Sequence, residues 1–204
     1  MSTSRGDLVR WQFDLTWALF EYHLERLEPA DFLWEPAAHC WTVRPGPAGT
    51  WVPDWAQTEP DPVPVPTIAW LTWHIGWWWS AAGEHLQGRP VPGHTEVAWP
   101  GAGAATIEWL RDLRRQWLGH LDRLADADLD RVAAYPWPAD AGHTVAHLLG
   151  WVNAELMKNV AEIGQLRLLR AGTWSGATAG GRPPHPTGTA RPRVPQSVDG
   201  EGPS

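Results

Sequence analysis

In 204 residues there is one cysteine, Cys40, and one lysine, Lys158. A single thiol excludes an internal disulfide and any zinc knot built on paired cysteines, and it suits a reducing compartment. Positive charge is also scarce: 16 basic against 23 acidic residues leave a net charge of −7. A nucleic-acid-binding face would be basic and clustered, so no nucleic-acid partner is expected. No run reaches the ~18 consecutive apolar residues of a membrane span, and the opening MSTSRGDLVRWQFDL lacks the apolar centre of a signal peptide. The expectation is a cytoplasmic protein with no membrane partner.

What the chain does hold is tryptophan, 17 residues, and proline, 20. Apolar residues recur with the 3.6-residue helical period from Asp7 to Leu27, along Trp11, Leu15, Ala18 and Tyr22 and an adjoining row of Leu8, Leu19 and Leu27. A second helix is expected from Thr67, a natural N-cap, to Leu86, and a third from about Ala104 to Leu124. The fourth should begin between Asp140 and Thr144 and end at Arg170, before Gly172. Between the first two helices lie nine prolines, from Pro29 to Pro66, with Trp34, Trp41, Trp51 and Trp55 among them. Proline at that density rules out regular helix, while four large aromatics can bury enough area to hold a long loop on the body. No convincing strand is found. The fold class is therefore all-α: a four-helix bundle over residues 1–171 with a Pro/Trp-rich crossover loop between helices one and two. Residues 172–204, rich in Gly, Pro, Ser and Thr, are expected to form a disordered tail.

Chemistry is sought where polar residues interrupt apolar helix faces. His74 sits in TIAWLTWHIGWWWSAAGEHL, among five tryptophans; it is either a site residue or a core histidine bonded to a backbone carbonyl. On the fourth helix Leu148, Glu155, Asn159, Glu162 and Leu166 share one stripe. Glu155 and Asn159, one turn apart, could share a ligand with His74, or could belong to an interhelical hydrogen-bond network beside Val152, Leu156, Val160 and Ile163. His143 and His147 form a competing pair four residues apart. His23, His85, His94 and His120 have no partner at ligand spacing and read as solvated or capping residues. Cys40 beside His39 reads as an incidental loop thiol.

The segments RWQFDLTWALFEYHLERLEPADFLWEP, TIAWLTWHIGWWW and WVNAELMKNVAEIGQLRLLRA resemble the DinB-like superfamily, in the form common in actinobacteria, over about Leu8 to Arg170. The resemblance implies a four-helix bundle, often dimeric, so a homodimer is expected. It also implies a divalent metal, zinc or nickel, held by one histidine of helix two and two ligands four apart on helix four. Many such proteins are transferases or isomerases that use a low-molecular-weight thiol such as mycothiol. Carried over, the metal ligands are His74, Glu155 and Asn159. Asn159 stands where the family usually has histidine, and an amide oxygen is the poorer donor. His74, Glu155 and Glu162 are the expected catalytic residues, and Trp70, Trp73, Trp77, Trp78 and Trp151 the expected walls of a pocket for a small electrophilic or apolar substrate. Two alternatives accompany this reading: a metal-free acid–base enzyme using His74 and Glu155, and a bundle that binds a small molecule without catalysis.

Overall fold

The protein is described by a computed structural model that covers residues 4–178. Helix dominates it. Helix α1 spans Arg5–Leu24 and starts with a capping box in which Ser4 accepts from the Asp7 N–H and Asp7 accepts from the Ser4 N–H. A single turn, α2 (Pro29–Phe32), follows. Helix α3 covers Ile68–Leu86, with Thr67 as its N-cap accepting from the Trp70 N–H at 3.2 Å. Helices α4 and α5 cover Ala104–Leu121 and Val145–Thr178. The last runs past its expected end at Gly172. That glycine does not take up a positive φ, and one glycine costs a helix only about 1 kcal/mol relative to alanine. Residues 179–204 of the expected tail lie outside the described residues.

The four long helices contact one another in a ring: α1 on α5, α5 on α3, α3 on α4, and α4 back on α1. Their shared core holds Phe13, Trp17, Phe20 and Leu24 of α1, Trp73 and Trp79 of α3, Leu110 and Trp117 of α4, and Val152, Leu156, Val160 and Ile163 of α5. The buried face of α1 is thus not the row expected. Trp11, Leu15 and Leu8 are 62, 54 and 59% exposed, whereas Phe13 and Phe20 are fully buried. Close helix approach is set by small residues: a Cβ on Gly76 would fall 1.7 Å from the Trp109 ring, and one on Gly164 would fall 2.5 Å from the His23 imidazole. His23 is therefore a packed residue, and so is His120, both under a tenth exposed; of the two expected roles, solvated or capping, the solvated one does not hold, and each sits in the last turn of its helix.

The crossover between α1 and α3 does contain short strands. Cys40–Trp41 (β1) pairs in parallel with Val65–Pro66 (β4), and Val43–Pro45 (β2) pairs antiparallel with Trp51–Pro53 (β3). Prolines at their ends lack the N–H that a ladder needs, which keeps them to two or three residues. Asp54 staples the loop. Its carboxylate accepts from the Thr42 N–H at 3.0 Å and from the Arg44 guanidinium at 2.9 Å, and its carbonyl accepts from Trp70 Nε1 at 2.8 Å.

The two apolar faces of α1 should answer mutation differently. Phe20→Ala is expected to cost about 3–5 kcal/mol in urea unfolding, and Trp11→Ala under about 1 kcal/mol. Equal losses would mean that the buried face is wrongly assigned.

Candidate functional site

A cavity of about 410 Å³ opens between the crossover loop and the α3–α5 seam. Its floor carries His74 and Asn159; Lys158 and Glu162 enter from α5, Trp70 from α3, and Trp41, Trp55, Gln57 and Glu59 from the loop. Two turns of α5 can supply three polar residues here because 158, 159 and 162 sit side by side on one edge of the helix.

His74 is held flat. Its ring stacks on Trp70 at 4.8 Å and 17°, and Trp70 in turn stacks on Trp41 at 5.1 Å. Its Nδ1 is buried with no hydrogen-bond partner among the described residues, which removes the core reading in which a backbone carbonyl satisfies it. Burial, aided by the positive field of Lys158 and opposed by Asn159, pushes the imidazole down to about 4. It is therefore neutral at physiological pH.

Asn159 is fully buried and oriented at both ends. Its Oδ1 accepts from Trp78 Nε1 at 3.2 Å, and its Nδ2 donates to Glu162 Oε2 at 2.9 Å. Glu162 is thereby oriented as an acceptor at the cavity wall. Lys158 donates to Glu155 at 3.1 Å. Glu155 itself does not line the cavity; its charge is felt by Tyr135, whose hydroxyl is pushed up chiefly by burial and further by that carboxylate.

Of the expected residues, then, His74, Asn159, Glu162 and Trp70 come together, and Glu155 stands apart. The other expected wall tryptophans are engaged elsewhere: Trp73 donates to Val97 O at 2.9 Å, Trp77 to Pro92 O at 3.1 Å, and Trp151 packs edge-on against Trp78 and Tyr135. Sequence reasoning missed Lys158, Trp41 and Trp55. The lysine carried a signal, being the only one in the chain. The competing pair does other work: His147 Nδ1 accepts from the Thr144 N–H at 3.1 Å at the start of α5, and His143 packs on Trp137 at 4.2 Å.

A divalent ion here would meet the His74 imidazole beside an Asn159 oxygen that already accepts from an indole N–H, a Glu155 carboxylate paired with Lys158, and the ammonium group of that lysine at the wall. Among the described residues no three histidine, cysteine or acidic side chains are grouped to hold a metal.

The low imidazole value has a measurable consequence. An unfolded chain takes up a proton near 6.5 that the folded one refuses until about 4. His74 therefore stabilises least at low pH: its contribution is intact above 6.5 and falls away as pH drops towards 4, by about 3 kcal/mol. Urea unfolding between pH 7 and 4 should show a shallower loss for His74→Gln than for the wild type; parallel curves would contradict the assignment.

The profile of the DinB superfamily matches residues 12–163, three quarters of the chain. Among curated proteins none matches it. On the extent of that match, with the cavity enclosed by the matched segment, the chain belongs to the DinB superfamily.

Proposed function

We propose that this chain is a bundle-scaffolded protein that binds a small, partly apolar molecule in the cavity and acts on it with its own acid–base groups, without a resident divalent metal. The ring of contacts among the four long helices supports reading the scaffold as a four-helix bundle. The observation that carries the functional reading is the neutral imidazole of His74 lining a cavity that also presents Glu162 and the chain's one lysine.

The roles follow from charge. His74, buried and neutral, orients the ligand through a hydrogen bond. Glu162, aligned by Asn159, is the carboxylate placed to move a proton. Lys158 supplies positive charge for an anion that develops on the ligand. Where the ligand is a low-molecular-weight thiol such as mycothiol, that same ammonium favours the thiolate, the reactive form. The stacked column of Trp41, Trp70 and His74 forms one flat wall for an apolar body.

Two measurements test this. Tag-free protein should carry zinc and nickel at far below one equivalent, and calorimetric titration with Zn²⁺ should show no tight event that His74→Ala abolishes. Ligand-observed NMR with a fragment library should return binders that weaken at least ~10-fold in His74→Ala and in Lys158→Gln, and not in His143→Ala. Stoichiometric metal removed by His74→Ala, or fragments indifferent to both cavity substitutions, would overturn the proposal.

A further inference from the structure

The charges that line the cavity do not cancel. Glu59 and Glu162 enter it with a single cation, Lys158, and that ammonium is already held at 3.1 Å by Glu155, which stands outside the lining. Among the described residues neither Glu59 nor Glu162 has an ion-pair partner; the one hydrogen bond of the Glu162 carboxylate comes from a neutral donor, Asn159 Nδ2 at 2.9 Å. Even shared among them, one ammonium faces three carboxylates. No arginine lines the cavity, and the imidazole on its floor is neutral. A pocket with an excess of carboxylates selects against anions and for cations.

We infer that the ligand carries a protonated amine on its partly apolar body, and that the amine end docks on Glu162 and Glu59; this rests on the cavity being the ligand site proposed above. A carboxylate is an acceptor only, with room for several donors. Asn159 uses one place at Glu162, and the rest is open to an ammonium, whose hydrogen bonds to a carboxylate are about twice as strong as neutral ones. The aromatic wall favours the same charge. Trp41 has one ring neighbour among the described residues, Trp70 at 5.1 Å, and the face of an indole attracts a cation placed within ~6 Å. Lys158 keeps N–H groups beyond the one given to Glu155, so the far end of the molecule presents an acceptor, a hydroxyl or a carbonyl oxygen.

Other ligands fit less well. An anion would meet two uncompensated carboxylates and an ammonium already neutralised by Glu155. A bare metal ion needs more oxygen donors than two carboxylates bring, ~6–8 for calcium, and among the described residues no three histidine, cysteine or acidic side chains are grouped to hold one. A neutral apolar molecule would leave the oxygens of Glu162 and Glu59 short of donors once water is displaced, which costs more for a charged group than for a neutral one.

Three probes with one apolar body separate these cases: at neutral pH phenylalaninol is a cation, N-acetylphenylalaninol is neutral and N-acetylphenylalanine is an anion. Titrated against the full chain at low salt and followed by tryptophan fluorescence, phenylalaninol should bind at least ~10-fold more tightly than either of the others, about the worth of one hydrogen bond to a charged group. High salt should narrow that gap. Glu162→Gln keeps an oxygen for Asn159 and removes only the charge. It and Glu59→Gln should each shrink the gap, and the two together abolish it, with the affinity for N-acetylphenylalaninol and the helical circular dichroism unchanged. A neutral or anionic probe that binds as tightly as the cation, a gap that survives both substitutions, or no binding of phenylalaninol at millimolar concentration would each overturn the amine. His74→Ala distinguishes this from a failure of the cavity reading. Probes that it weakens leave the site in place with the wrong charge assigned, whereas probes that bind equally to the wild type, His74→Ala and both glutamate variants overturn site and amine together.

Discussion

A buried indole N–H is costly to leave without an acceptor, and on α3 four of the five indoles find one, the Nε1 of Trp79 being the exception. Trp70 donates to Asp54 O, Trp73 to Val97 O, Trp77 to Pro92 O, and Trp78 to Asn159 Oδ1. Three of these acceptors are backbone carbonyls of loops that are rich in proline. Proline brings a carbonyl with no N–H of its own to satisfy, so a proline-rich loop can turn acceptors towards a tryptophan-studded helix with few donors left over. The loops are thereby pinned against α3, the crossover loop at the mouth of the cavity, and the fourth acceptor is the buried amide whose other end holds Glu162. Composition that looks idiosyncratic, many tryptophans beside many prolines, is on this account one arrangement of matched donors and acceptors.

The same requirement explains why Asn159 suits its position. Asparagine offers both an acceptor and a donor, and it spends the first on Trp78 and the second on Glu162. An imidazole could make the same two contacts only in one tautomer, and would then have no lone pair left for a ligand. The site has its positive charge from Lys158, which is tethered to Glu155 at 3.1 Å and biases His74 towards its neutral form.

Long helices and their starts were legible in the sequence because capping and period are local signals: Thr67 and the run to Leu86 could be read without any tertiary knowledge. The face of α1 was not. Two apolar rows, one through Trp11 and Leu15 and one through Trp17 and Phe20, both obey the helical period, and periodicity cannot say which of two such rows faces inward. Which of Glu155 and Glu162, both expected in the site, lines the cavity was not legible for a related reason. Both share a stripe with Asn159, and only the packing of α5 against α3 and the crossover loop sets which carboxylate lines the cavity. Trp41 and Trp55 were invisible as walls because a loop residue's place depends on the staple at Asp54, which joins residues far apart along the chain. His74 was readable, since a lone imidazole among tryptophans invites the question that its unpartnered Nδ1 answers.

The scarcity of lysine also makes the molecule singly addressable. Apart from the α-amino group, the chain carries one primary amine, Lys158, half exposed at the cavity wall. An amine-directed dye, cross-linker or isotopic methyl group would therefore label the site and almost nothing else. The protein contains its own attachment point for a reporter at the place where a ligand would be seen.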